Sequence, residues 1–148
     1  MRIRAATTDD LTAVEELLVT SGLPVDGVDE NFHDFLVADD GDGIAGVIGI
    51  ERYGATALLR SAAVSPNSRG TGVGGQLVRS ILEHAAAEGV EEVYLLTTTA
   101  ADYFPRYGFT QEPRSAAPEQ LHASREFQGA CPATAILMKH SLTAGRAR

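Results

Sequence analysis

Between Arg69 and Gly75 the chain reads Arg-Gly-Thr-Gly-Val-Gly-Gly, immediately ahead of a helical stretch. Glycine at this density lets a backbone turn tightly and bring its N–H groups close to a ligand. The helix amino terminus beyond it adds unpaired donors and the positive end of a dipole. Phosphate oxygens are the natural guest, and Arg69 can add charge. Gly70, Gly72 and Gly75 also spell G-x-G-x-x-G, but the dinucleotide reading of that pattern fits poorly. Ser65 to Arg69 separate the turn from its strand, the preceding strands form an antiparallel meander, and the next strand ends in Thr97-Thr98-Thr99 where an acidic residue is needed. No Gly-Lys-Ser/Thr is present for a phosphate loop of the nucleotide-hydrolase kind. A glycine-rich turn without a ligand is the bland alternative.

Other reactive side chains are sparse. His33, His84, His122 and His140 lack ligand spacing, and the single Cys131 can form neither an internal disulfide nor a cysteine-based zinc site, so no metal is expected. Seven acidic residues lie between Asp26 and Asp42 with no Lys or Arg among them. They are a solvated loop and hairpin on one reading, and an attraction for a polyamine or basic peptide on another. The whole chain, 148 residues with a net charge of −8 and a pI near 4.9, argues against nucleic-acid or anionic-membrane partners. No apolar run approaches a bilayer span and no amino-terminal signal is evident, so a cytoplasmic protein with a small-molecule or protein partner is expected.

The elements that must position the glycine turn can be read along the chain. Arg2 to Ala5 reads as a strand. A helix follows, capped by Thr7 or Thr8, with Leu11, Val14, Leu17 and Leu18 on its buried face and a stop near Ser21-Gly22. After a short helical stretch around Val28 to His33, Phe35 to Ala38, Ile44 to Tyr53 and Thr56 to Val64 form an antiparallel meander that turns at Asp40 to Gly43 and at Gly54. A helix from about Gly72 to Glu88 carries an apolar stripe of Val73, Leu77, Val78, Ile81 and Leu82. Glu92 to Thr97 is a buried strand, Ala100 to Tyr107 a short helix, and Gly108-Phe109 opens another strand. Pro118 to His122 adds a helical turn, and Ala133 to Leu142 is the last strand. The pattern is one α+β domain over residues 1–148, with 143–148 a flexible tail.

With those elements in place, Arg69-Gly70-Thr71-Gly72-Val73-Gly74 resembles the Arg/Gln-x-x-Gly-x-Gly/Ala hallmark of the GNAT family of acyl-CoA-dependent N-acetyltransferases. It follows the strand Leu58 to Val64 and the loop Ser65 to Ser68 as that pattern requires. Ala101 to Phe109 (Ala-Asp-Tyr-Phe-Pro-Arg-Tyr-Gly-Phe) resembles a second family mark, and the likeness extends over residues 2–142. Leu95 to Thr99, Tyr103-Phe104, Ser124 to Phe127 and Cys131-Pro132 are similar to the arsenic-resistance N-acetyltransferases, near the N-acetylglutamate synthase domains. The resemblance implies a mixed six- to seven-stranded sheet with helices on both faces. It implies acetyl transfer from acetyl-CoA to the α-amine of a small glutamate-like molecule, including arsenic- or phosphorus-containing amino acids. Metabolic amino-acid acetylation, a nonenzymatic acyl-CoA sensor and a protein acetyltransferase are the alternatives.

In that fold the strand ending at Val64 and the strand from Glu92 splay apart. The resemblance places the pantetheine arm in the gap against the backbone of Ala62, Ala63 and Val64, and the pyrophosphate on Arg69, Gly70, Thr71, Gly72, Val73, Gly74 and Gly75. An N–H near a bulge in the strand ending at Val64 would stabilise the oxyanion. The acceptor amine attacks the thioester directly, so no enzyme nucleophile is needed, consistent with a lone cysteine placed elsewhere. Glu51 is the first candidate for general base; a solvated carboxylate near a hairpin is its plain alternative. Many relatives place a tyrosine where this chain has Phe104, so Tyr103, or its neighbour Tyr107, is the candidate proton donor to the leaving thiolate. Arg60, Arg106 and Arg125 are candidate carboxylate anchors, with Arg60 foremost, and Thr97 and Thr98 face the acceptor. A homodimer is an expectation carried by the family alone.

Overall fold

The computed structural model describes residues 1–142; the expected tail, 143–148, lies outside them. Seven strands make one sheet: β1 (Arg2–Ala5), β2 (Phe35–Asp39), β3 (Ile44–Tyr53), β4 (Thr56–Val64), β5 (Glu92–Thr97), β6 (Thr110–Glu112) and β7 (Ile136–Ser141). Their order is β1-β2-β3-β4-β5-β7-β6, antiparallel at every pairing except the parallel β4–β5 contact. The antiparallel meander read from the sequence is therefore β2-β3-β4, and the single parallel contact forms across the crossover that holds the glycine turn.

Two helices cover opposite faces. In α1 (Leu11–Thr20), Val14 and Leu18 pack with Val28, Phe32, Phe35, Val37, Val47 and Ala63. In α2 (Val73–Ala87), Val73, Leu77, Val78, Ile81 and Ala85 pack with Ile48, Ile50, Leu59, Val93, Leu95 and Phe109 on the other face. The two sets use alternate residues of the same strands, as a sheet buried on both faces requires. A third cluster, Leu58, Tyr94, Leu121 and Leu137, closes the α1 side of the sheet beyond the helix.

The approach to α1 is built from Thr7 and Asp10. Asp10 Oδ2 accepts the Thr7 backbone N–H at 2.8 Å and Arg4 Nη1 at 2.8 Å. Two elements differ from the sequence reading. The helix expected over Ala100 to Tyr107 contracts to a 3-10 turn at Phe104–Tyr107, because Pro105 contributes no N–H and Gly108 turns left-handed at φ 91°. The last strand starts at Ile136, after a long irregular passage that includes a π-turn over Glu126–Ala130. No helix of the described residues is long and apolar enough to cross a membrane.

Candidate active site

β4 and β5 are paired only over Thr56–Leu59 against Glu92–Leu95. Beyond Leu59 they part, while β5 remains bonded to β7 as far as Thr97. At the parting, Ser61 and Ala62 of β4 stand against the single residue Ile48 of β3. This bulge places Ser61 at φ 62°, a left-handed conformation that serine rarely adopts and that re-aims the neighbouring backbone groups. Strain of this kind, held by a packed surround, collects at functional positions.

The gap is a cleft of about 220 Å³. One wall is β4 from Leu59 through Val64, the other is β5 from Leu95 to Thr97 with Thr99 and Ala100. Gly74, Leu77 and Val78 of α2 with Tyr103 and Phe104 close one end, and Leu23, Pro24, Glu126 and Cys131 lie at the other parts of the rim. Gly70 and Gly72 adopt φ values of 79° and 88°. They turn the chain into α2, whose first backward bond runs from Gln76 N–H to the Gly72 carbonyl. The N–H groups of Val73, Gly74 and Gly75 precede that bond and have no helical partner. The Thr71 hydroxyl donates to the Ser68 carbonyl and Arg69 Nε to the Val64 carbonyl at 3.2 Å, bracing the turn against the end of β4.

The glycines of α2 also admit two phenols. A Cβ on Gly74 would stand 3.1 Å from the Tyr103 hydroxyl, and one on Gly75 would stand 2.6 Å from that of Tyr107. Those hydroxyls lie 3.0 Å apart. Burial first, then the bond and charge of Tyr107, push the Tyr103 phenol up to about 12, so it stays protonated at neutral pH. Phe104 lies in the core against Phe109, with ring centroids 5.6 Å apart, and reaches the cleft wall.

Glu51 stands opposite Leu58, so Arg60 is its diagonal neighbour on the same face of the sheet. Glu51 Oε2 accepts Arg60 Nη1 at 2.6 Å and Oε1 accepts the Tyr53 hydroxyl. Arg60 further donates from Nε to Ser61 Oγ at 3.0 Å and from Nη2 to the Pro24 carbonyl at 3.2 Å. Its side chain has no exposure. The guanidinium of Arg60, the foremost candidate anchor for an acceptor carboxylate, is therefore already bonded within the protein, and Glu51 lies beneath it, outside the cleft lining. Thr97 lines the cleft while accepting the Ala100 N–H at 2.9 Å; Thr98 does not line it. Arg106 turns back to the Tyr103 carbonyl at 3.0 Å, and Arg125 pairs with Glu30 at 2.9 Å on the surface; neither lines the cleft.

Two residues enter the cleft that the sequence had not brought there. Glu126 is buried on the rim, with Oε2 3.6 Å from Arg60 Nε. Burial, opposed by Arg60 and reinforced by the charge of Glu51, pushes its carboxyl up to about 7. Cys131, expected away from the site, lines the cleft beside it; burial and Glu126 push its thiol up to about 12, which keeps it a thiol and no nucleophile. Both come from the aperiodic passage between β6 and β7, where neither strand nor helix spacing tells which side chains face inward.

Residues 31–111 match the acetyltransferase (GNAT) domain family, and the chain belongs to it. Over 98 residues, 66% of the chain, it is 32% identical to the uncharacterized N-acetyltransferase CT2212 of Chlorobaculum tepidum. The chain spans between 28% and 63% of the length of the curated relatives it matches. Among solved structures, the N-acetylglutamate synthase of Neisseria gonorrhoeae complexed with coenzyme A and N-acetyl-glutamate aligns over 95% of this chain and 35% of its own, with TM-score 0.82 and 19% identity. Rv2747 of Mycobacterium tuberculosis, in complex with CoA and NLQ, aligns over 96% of this chain and 99% of its own, with TM-score 0.79 and 20% identity. At these identities the two structures bear out the fold: the mixed seven-stranded sheet with helices on both faces is the GNAT acetyltransferase architecture.

Proposed function

We propose that the chain is an acetyl-CoA-dependent N-acetyltransferase acting on the α-amine of a small amino-acid-like acceptor. The observation that carries this is the gap between β4 and β5, which opens from a bulged β4 directly onto the glycine turn and the amino terminus of α2. Acetyl-CoA fits these features by chemistry. The backbone N–H groups of residues 70–75 with Arg69 suit a pyrophosphate, and the edge of β4 at Ala62, Ala63 and Val64, left unpaired by β5, suits the amide groups of a pantetheine arm. The re-aimed backbone at Ser61 and Ala62 suits a developing oxyanion. The acceptor amine attacks the thioester carbonyl directly, and the Tyr103 hydroxyl, protonated at neutral pH, is the candidate donor to the leaving thiolate.

The narrower reading is a glutamate-like acceptor, in particular an arsenic- or phosphorus-containing analogue. It rests on the likeness of Leu95 to Thr99, Tyr103-Phe104, Ser124 to Phe127 and Cys131-Pro132 to the arsenic-resistance acetyltransferases, and on the structural neighbour whose complex holds coenzyme A with N-acetyl-glutamate. Arg60 then contributes the positive field at the acceptor end, and Thr97 a hydroxyl. Thiol release from acetyl-CoA over glutamate, phosphinothricin, an arsenic-containing analogue, polyamines and a lysine peptide tests it. Turnover confined to the phosphorus and arsenic acids supports detoxification, and turnover on glutamate supports metabolic acetylation. Preference for the peptide supports a protein acetyltransferase. Silence with acetyl-CoA still bound turns the reading into a cofactor sensor.

A further inference from the structure

We propose that Glu126, carried into the cleft by the turn between β6 and β7, is the general base that accepts the proton of the acceptor ammonium. The inference rests on acetyl transfer taking place in this cleft. Among the described residues that line it, the ionisable side chains are Arg60, Tyr103, Glu126 and Cys131. Arg60 is a permanent cation, and Tyr103 and Cys131 hold their protons at neutral pH. Glu126 is the one carboxyl in the lining. Glu51 has one oxygen on Arg60 and the other on Tyr53 and lies behind the guanidinium, so it has no free face toward an acceptor.

Geometry sets Glu126 apart from Glu51. At 3.6 Å from Arg60 Nε its carboxyl is near a cation without being bound by a short hydrogen bond. Arg60 Nε is meanwhile bonded to Ser61, the residue of the β4 bulge. One guanidinium thus separates the carboxyl from the strained backbone that suits the oxyanion, so proton acceptor and oxyanion donors converge on one end of the cleft. The groups facing Glu126 are Arg60 and, behind it, Glu51 from the sheet, and the Cys131 thiol from its own segment. Their sum, with burial, places its proton affinity near neutrality, within about one unit of an α-ammonium, where a base is both ionised and effective.

The step balances without a further reagent. An ammonium N–H bond breaks and its proton passes to Glu126. The freed lone pair forms the N–C bond to the thioester carbonyl, and the tetrahedral adduct collapses by C–S cleavage. The new amide nitrogen sheds a second proton, so that one proton goes to the thiolate and one to solvent.

The test uses the full chain and the acceptor found by the amine panel. Glu126→Gln is expected to lower kcat by about 10²- to 10³-fold, with the KM for acetyl-CoA essentially unchanged and the acidic limb of the pH profile lost. Trifluoroethylamine, largely unprotonated at neutral pH, should lose far less than the amino-acid acceptor. Glu126→Asp, which withdraws the carboxylate but keeps its chemistry, should retain the limb at reduced kcat, and it serves alone where the Gln variant does not fold. A carbon-13 titration of the labelled glutamate carboxyls should show one resonance titrating near 7 that is missing in Glu126→Gln. A folded Gln variant that keeps its acidic limb, or loses less than about tenfold, overturns the proposal while leaving the acetyltransferase reading intact. Absence of turnover in the wild type on every acceptor overturns both.

Discussion

The guanidinium of Arg60 sits between two carboxylates that differ in what each can still do. Glu51 is buried and saturated, with one oxygen on Arg60 and the other on the Tyr53 hydroxyl. Removing one partner of such a pair leaves the other buried and uncompensated, at a cost of about 3 kcal/mol or more. Glu51→Gln should therefore lower unfolding free energy by roughly that amount in a urea titration. It should also lower the acidic limb of the activity profile, since the Glu51 charge raises the Glu126 carboxyl while the released Arg60 lowers it. Glu126 leaves its own mark on stability. Its folded-state affinity lies above its ordinary value of 4.5, so its contribution is fully present below that pH and is lost as pH rises through about 7. Wild-type stability should accordingly decline across this window relative to Glu126→Gln, measured as the urea midpoint at each pH. Equal slopes in the two proteins would show that the carboxyl does not titrate there.

At the scale of elements, glycines decide how closely β3, α2 and the turns approach. Gly49 lies under the Phe35 ring, and a Cβ there would stand 2.3 Å from ring carbons on the β2 strand. Gly49→Ala should cost about 1–3 kcal/mol by overpacking, read as a lower urea midpoint at unchanged slope. Gly72→Glu acts differently: at φ 88° it strains the turn into α2 and sets a negative charge beside the unpaired N–H groups. It should abolish coenzyme A binding by calorimetry, and unchanged affinity would displace the cofactor from this turn. These elements were legible because periodic patterns and turn residues announce them: the α2 stripe, the β2-β3-β4 meander and the glycine turn all stand where the sequence places them. The seat of Glu126 was not legible, because residues 113–135 follow no period and their facing is settled only when the passage closes over β4. Arg60 shows the same limit from the other side. Its place on the strand was readable, but its burial between acidic partners is a tertiary fact that no local pattern carries.

Across the whole molecule, β1–β4 and β5–β7 are joined at the sheet by the four-residue ladder of Thr56–Leu59 against Glu92–Leu95, with α2 packed across the junction. Away from the junction, Asp34 ties the 3-10 turn before β2 to β3 and α2 through Arg52 at 2.8 Å and His84 at 3.0 Å. Burial alone would raise the Asp34 carboxyl, but these bonds hold it below the usual range, and Arg4 lowers Asp10 to about 2. Both stabilise the fold above the ordinary carboxyl value of 3.8 and are lost as pH falls through their depressed values, so acid unfolding should begin below about pH 4 and move upward in Asp34→Asn. The short ladder leads to a different expectation for the cofactor. A ligand that lies between β4 and β5 bonds to both halves where they do not bond to each other, so it binds the native state alone. Coenzyme A at a hundred times its Kd should then add about 2.7 kcal/mol, raising Tm by roughly 5–10 °C for a chain of this length. The added amide protection should concentrate at Arg60 to Val64 and at Leu96 to Thr97, the strand ends that face the gap. A rise in Tm with protection confined to the surface of β6 and β7 would place the ligand outside the cleft. Protection on both walls would show that the cofactor completes the sheet that the ladder leaves open.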